Sequence, residues 1–499
     1  LRQAILLCVL AGVAAFGACR WLLPERYAVN APVAHLLFER GTDAPKPATV
    51  ADRLAVPEGF RIEIFHAGIP NVRFLRPTPS GDLLASVPRA GDVRLLERDA
   101  DGDGRADGVI RLLTGLSRPH GLDLHDGWLY VAETDAVGRV RFDADRRKTS
   151  GASQRIVTGL PAKGNHWTRT VRVGPDGWLY LSIGSSCNVC EEEDPRRAAM
   201  LRFRPDGSQQ EIFATGLRNA VGFDWRPATG ELFATDNGRD LLGDDFPPCE
   251  LNRITRGGFY GWPYANGDNV PDPDFGPGNQ ARVAAALPPV HGFRAHNAPL
   301  GIVFLRSRAA GEDYRGAALV ALHGSWNRTR KDGYKVVSLH WRPDGSLEER
   351  DFVVGFERGE DVIGRPVDVA EGADGSIYVS DDYGGTIYRV TRAGGPATAA
   401  APPAAAPAAD PLAGLDPQER RDLSQAGRAL WERHGCAGCH DPASAAPGVV
   451  PVPLRDLAAR HSLDSLAELL ATPTPPMPLF DLALPERRAL AVHLFERSP

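Results

Sequence analysis

Val171-Arg172-Val173-Gly174-Pro175-Asp176-Gly177-Trp178-Leu179-Tyr180 packs a β-prone run, a Gly-containing turn and a second β-prone run into a single short stretch. Asp-Gly between alternating apolar runs is hairpin chemistry, because the glycine adopts the left-handed backbone that a tight turn needs. The same cadence occurs from Leu75 to Ala85, from Gly121 to Ala132, from Val221 to Thr235, from Gly301 to Ala321 and from Val367 to Asp381. Six such units, spaced by roughly 45 to 80 residues, predict small antiparallel sheets repeated around an axis. The expected fold class is mainly β: a six-bladed β-propeller followed by a small all-α domain. An array of β-sandwiches would share the composition but not so regular a repeat. The long stretches 181–200 and 238–300 are expected as insertions on one rim, where repeat folds carry their binding sites.

Working outward, the propeller is expected over residues 50–393. Residues 394–413 are an Ala/Pro tract that reads as a semi-extended linker. Residues 414–499 form the second domain, with helical apolar spacing from Asp416 to His434 and again from Pro485 to Phe495. At the other end, residues 1–19 hold an apolar stretch behind Arg2 with small residues before Cys19, which reads as an export signal, a lipoprotein signal or an N-terminal anchor. Each reading places the remainder in the periplasm, with membrane attachment through lipid or anchor in the last two. A formal net charge of −6 over 499 residues argues against a nucleic-acid partner.

Seven cysteines divide by context. Cys436-Ala437-Gly438-Cys439-His440 carries two thiols at the spacing that reaches both vinyl groups of a haem, and an imidazole placed under the iron. A zinc half-site would need a second Cys/His pair at ligand spacing, which His461 and His493 do not supply. The second domain is therefore expected to be a cytochrome c with one covalent haem on Cys436 and Cys439, and with His440 as the proximal iron ligand. Met477, between prolines, is the expected distal ligand, with His461 or an open site as the alternative. Cys187 and Cys190 are expected to form a loop disulfide, leaving Cys249 free or competing for a partner.

Several stretches together resemble the pyrroloquinoline-quinone (PQQ)-dependent sugar dehydrogenases, in particular the L-sorbosone and pyranose dehydrogenase branch. They are Gly164-Asn165-His166-Trp167-Thr168-Arg169, Gly216-Leu217-Arg218-Asn219, Thr235-Asp236-Asn237-Gly238-Arg239-Asp240, Gly257 to Pro263, His323-Gly324-Ser325-Trp326-Asn327-Arg328 and Gly364-Arg365-Pro366-Val367. The resemblance covers roughly residues 55–393. It implies PQQ and calcium as cofactors, with His166 as general base and Arg218 and Asn219 beside the quinone. Arg365 and Arg73 match cations that would hold its carboxylates. Arg328 is a further candidate, although the soluble glucose enzymes of the family carry a lysine there. The calcium would take the backbone carbonyls of Gly238 and Arg239. The implied activity is oxidation of an aldose, sorbosone or related sugar, with electrons leaving through the fused haem to a cytochrome, an oxidase or a quinone pool. The rival readings are a calcium-dependent sugar lactonase, which explains the propeller but not the haem, and a non-enzymatic propeller that docks a partner while the haem relays electrons for it.

Asp99, Asp101, Asp103 and Asp107 imitate the early positions of a calcium loop, with Gly104 at the turning position, but Ile110 stands where the bidentate Glu belongs. An Asp/Gly-rich interblade turn is the competing reading. The run Glu191-Glu192-Glu193-Asp194 is expected to be a solvated loop face.

Overall fold

The computed structural model describes residues 25–32, 41–342, 344–392, 411–441, 444, 454, 457, 461–471, 473, 477–478, 480 and 482–497. The expected signal at 1–19 and most of the 394–413 tract lie outside them. Two compact units emerge, residues 1–398 and 399–499.

In the first unit, six sheets each present four antiparallel strands, confirming the six blades. In the third, Arg169–Val173, Leu179–Ile183, Ala199–Phe203 and Glu211–Thr215 pair in order. Its first turn closes as the sequence predicts: Gly174 N donates to Trp178 O at 2.8 Å, and Gly177 sits at φ +73°. The second strand, Leu179–Ile183, is buried along its whole length, as are Leu83–Val87, Leu232–Asp236, Ala318–Leu322 and Ile377–Asp381. Blades stack face to face, so a central strand meets apolar neighbours on both sides, which explains runs without polar alternation. The interblade layer of Tyr180, Met200, Phe213, Phe223 and Leu232 is one such contact; each large apolar side chain there contributes about 1.5–3 kcal/mol through burial.

The sixth blade is composite. Pro366–Glu371, Ile377–Asp381 and Thr386–Arg392 supply three strands, and Phe60–Ala67 supplies the fourth, with Phe60 opposite Arg392. The ring is thus closed by hydrogen bonds between the first and last strands of the propeller. One expectation needs correction: residues 238–300 are not a single rim insertion, because Cys249–Ile254 and His291–Phe293 are the third and fourth strands of blade four.

At one end of the channel, charges alternate from blade to blade. Asp123, Asp224 and Asp368, from blades two, four and six, accept Val173 N (2.6 Å), Phe304 N (2.8 Å) and Leu75 N (2.8 Å) from the next blade. Arg76 pairs with Asp123 at 2.8 Å, while Arg172 and Arg306 reach Asp224 at 3.2 and 2.8 Å. Arg76, Arg172, Arg306, Asp224 and Asp368 line a cavity of about 360 Å³. Burial pushes the Asp224 carboxyl up, but Arg172 and Arg306 outweigh it and hold it below its usual range. Burial raises Asp368 to about 7.

In the second unit, Pro417–Arg433 begins at Asp416, whose carboxylate accepts Gln418 N at 2.8 Å, and Leu484–Arg497 packs against it. The helices touch at Gly427, where a Cβ would lie 2.1 Å from Ala489 O. Leu430, Trp431, Leu466, Leu490 and Phe495 form the core, with Cys436 and Met477 packed on its edge. Among the described residues, no helix is long and apolar enough to cross a membrane.

Candidate active site

Arg169 faces Ile183 and Val173 faces Leu179, so each innermost strand starts where its partner ends. The loops at that end of the channel, opposite the Asp/Arg alternation, bring together residues distant in sequence.

His166 leads into the first strand of blade three with φ +51°, a strained backbone for a residue with a Cβ. Two arginines hold that strain. Arg169 Nη1 donates to His166 O at 2.8 Å, and Arg197 donates to the carbonyls of Lys163, Asn165 (3.2 Å) and Gly184 (2.9 Å). The imidazole Nδ1 lies 2.9 Å from both Ser185 O and Ser185 Oγ. Ser185 Oγ gives its own hydrogen to Cys187 O at 2.7 Å. The network therefore assigns the proton to Nδ1, donated to Ser185, and leaves the lone pair on Nε2. Burial, reinforced by the nearby Arg218 charge, pushes the imidazole down to about 3. It is neutral at pH 7.

Asn219 lies beside it: a Cβ added at Gly184 would meet His166 Cβ and Asn219 Oδ1, each at 2.6 Å, so only glycine fits between them. Asn219 Oδ1 is buried without a hydrogen-bond donor. Asp236 fixes the turn by accepting Arg218 N at 2.9 Å and Asn219 N at 2.6 Å, and burial raises its carboxyl to about 7. The buried Arg218 guanidinium uses every N–H. Nε goes to Asn188 O, Nη1 to Asn237 O and Gly238 O, and Nη2 to Asn188 Oδ1 and Asp240 Oδ2, at 2.8–3.1 Å. What it can offer a bound molecule is its positive charge.

A second group faces the same end. Arg365 donates to Gly324 O (2.9 Å) and His323 O (3.2 Å), His323 Nε2 lies 2.9 Å from Asp382 Oδ1, and Arg73 Nη1 donates to Asp382 Oδ2 at 2.6 Å. Burial and then Arg365 push the His323 imidazole down to about 3. Trp167, adjacent to His166 in the chain, carries Arg118 and Arg73 at 4.1 and 5.7 Å from its ring centroid. Arg73, Arg118, Trp167 and Asp382 line a cavity of about 340 Å³.

Of the residues the sequence singles out, His166, Arg218, Asn219, Arg365 and Arg73 all stand at this end. Arg328 is engaged elsewhere: its buried guanidinium donates to the carbonyls of Asp244 and Ala295 (3.2 Å) and meets Asp245 at 3.4 Å. Gly238 and Arg239 follow the second strand of blade four at the same end; the Gly238 carbonyl accepts from Arg218, and the Arg239 side chain pairs with Asp272 and Asp274. Asp99, Asp101 and Asp107 approach one another within 4.8 Å, whereas Asp103 accepts Arg105 N at 2.8 Å. Asp99 also pairs with Arg389 at 2.9 Å. That loop joins the third and fourth strands of blade one and is not an interblade turn. The 191–194 run is not merely solvated either: Glu192 accepts Ser186 N and Oγ at 2.6 and 2.7 Å, and Glu191 accepts the Tyr264 hydroxyl. The Cys187–Cys190 disulfide is formed, and Cys249 is a buried free thiol. In the second unit, Cys436 caps the helical turn Ala437–His440, which carries Cys439, so both thiols and the imidazole belong to one turn.

The sequence profile described as Glucose / Sorbosone dehydrogenase matches residues 129–389. The chain belongs to this family. A Borreliella burgdorferi protein described as uncharacterized is 31% identical over 357 residues, covering 68% of this chain and 91% of its own. The pyrroloquinoline quinone-dependent pyranose dehydrogenase of Coprinopsis cinerea is 25% identical over 430 residues, and the chain spans 56% of that protein's length and matches over 71% of its own. Solved structures agree on the fold. The holo PQQ domain of the Coprinopsis cinerea pyranose dehydrogenase superposes with a TM-score of 0.59 at 23% identity, over 68% of this chain and 97% of that domain. A Trichoderma reesei carbohydrate-active enzyme of family AA12 gives 0.60 at 20% identity, over 71% and 100%. The family profile ends near the last propeller strand, so the helical unit stands outside the match.

Sequence reasoning missed Ser185, Asn188, Arg197 and Arg118, and it quoted Trp167 within the His166 motif without giving it a role. Only Asn188 left a signal, by lying between the two cysteines.

Proposed function

We propose that the chain is a periplasmic quinohaemoprotein that oxidises a sugar at the His166 end of the propeller and passes the electrons to its own c-type haem. The observation that carries this reading is the neutral His166 imidazole with its Nε2 lone pair left over, packed across Gly184 from the buried, donorless Asn219 Oδ1 and within the field of the Arg218 charge.

The residues present fit PQQ by their chemistry. Three carboxylates call for several fixed cations, and Arg73, Arg218 and Arg365 stand at one end of the channel. Asn219 Oδ1 awaits a donor, such as the quinone's pyrrole N–H or a sugar hydroxyl. Bound there, the quinone supplies the two-electron acceptor for hydride from the sugar carbon. His166 Nε2 takes the proton of the hydroxyl on that carbon, and the imidazolium so formed is steadied by its Nδ1–H donation to Ser185. Arg218 offers positive charge where negative charge develops, and its saturated bonding keeps that charge fixed. Calcium at the Gly238 and Arg239 carbonyls would share the first of them with Arg218. For the haem, Cys436, Cys439 and His440 supply the attachment turn, and Met477 packs on the same apolar core as Cys436.

The test uses the purified chain loaded with PQQ and calcium and a panel of aldoses and ketoaldehydes. The haem band is expected to sharpen to its reduced form only when quinone and sugar are both present. Oxidised haem across the whole panel, with quinone bound, overturns the reading.

A further inference from the structure

Asn188 sits inside the Cys187–Cys190 disulfide loop and commits every polar side-chain atom to its neighbours. Its Oδ1 accepts Arg218 Nη2 (2.8 Å) and Asp240 N (2.8 Å), and its Nδ2 donates to Asp240 O at 3.1 Å. Its main-chain carbonyl accepts Arg218 Nε (2.9 Å) and Trp262 Nε1 (3.3 Å). One residue thus takes two of the Arg218 N–H groups and fixes the carboxylate-bearing residue that takes a third. The same loop reaches the base: Cys187 O accepts Ser185 Oγ, and Ser185 holds His166 Nδ1. Glu192 ties down Ser186 from the far side, and Ser186 O accepts Asn165 N at 2.7 Å, next to His166.

We propose that Asn188 is a positioning residue, and that the disulfide-closed loop carrying it sets the Arg218 guanidinium and the His166 imidazole as one unit. The argument rests on the dehydrogenase reading above. A guanidinium with all its N–H groups satisfied is held in place by its acceptors, and the two supplied by Asn188 sit on a loop that the Cys187–Cys190 cross-link closes. Neither Asn188 nor the cystine touches substrate; both act through Arg218 and Ser185.

The experiment compares wild type, Asn188→Ala and Asn188→Asp, each loaded with PQQ and calcium, with turnover normalised to bound quinone. Asn188→Ala is expected to lower kcat about 10²-fold with KM changed less than about threefold, the signature of a misplaced group that acts only in the transition state. Asn188→Asp keeps the Oδ1 acceptor and is expected to recover most of that loss. A purely structural role predicts a lower folded or quinone-bound fraction with unchanged kcat per bound quinone, and that result overturns the proposal. A second arm needs no variant: wild type is treated with dithiothreitol until thiol titration counts the released cysteines, desalted and assayed, then reoxidised. Reversible loss of kcat supports the proposal, and unchanged kcat with the bond open overturns it. If wild type itself shows no sugar-dependent haem reduction, the dehydrogenase reading falls and takes this one with it; active wild type beside an equally active Asn188→Ala sinks this inference alone.

Discussion

The two ends of the propeller channel are built from the same residue types and behave oppositely. At one end, Asp123, Asp224 and Asp368 alternate with Arg76, Arg172 and Arg306, and Asp123 and Asp224 meet guanidinium groups while all three accept a main-chain N–H of the next blade. At the other, Arg218 and Arg365 give most of their N–H groups to backbone carbonyls, Arg218 keeping a single carboxylate partner in Asp240, and a histidine is held neutral among them. Arginine facing carboxylate ties blades together; arginine facing carbonyl stores positive potential. What an arginine is bonded to, and not its presence, separates a fastener from a reactive site.

On the proposed dehydrogenase reading, the contrast is broken most severely at His166. His166→Ala is expected to lower kcat about 10³-fold while the haem spectrum and quinone binding persist, measured by stopped-flow haem reduction. Next, kcat/KM in wild type should hold as pH falls through 6.5, since a base lowered to about 3 stays unprotonated there. Burial does most of the lowering, with Arg218 and Arg197 adding to it and Asp240 opposing, so Arg218→Gln should move the acid limb upward. At the opposite end, Asp224→Asn should cost about 3 kcal/mol of stability by stranding Arg172 and Arg306, read from denaturant midpoints, with turnover per folded molecule unchanged. The smallest effect belongs to Asp368. Its carboxyl is raised to about 7 in the folded protein, so its contribution is full at acid pH and is lost as pH rises through 7. Asp368→Asn should flatten that part of the stability profile.

The blades were legible because each hairpin announces itself locally, as Gly174-Pro175-Asp176-Gly177 does. The closing partnership of Phe60–Ala67 with Thr386–Arg392 was not, since nothing in either strand names its partner across the propeller. The same divide runs through the site. His166, Arg218 and Asn219 sit in recognisable short motifs. The carbonyls of Asn188 and Gly238 that saturate Arg218 carry no side-chain signature, and the fate of Arg328 depends on where the 244–245 loop lies. A sequence shows which cations exist; only the fold shows which of them are already occupied.

The composite sixth blade has a consequence for the order in which the molecule can be assembled. Blades one to five can each form from a contiguous stretch as the chain emerges, but Phe60–Ala67 must wait with one edge unpaired until Thr386–Arg392 arrives. Arg365 leads into that composite blade and Arg73 into blade one beside it, so a half-made chain has no complete set of cations. On the proposed reading, a quinone held by those cations would find its full site only in a finished ring.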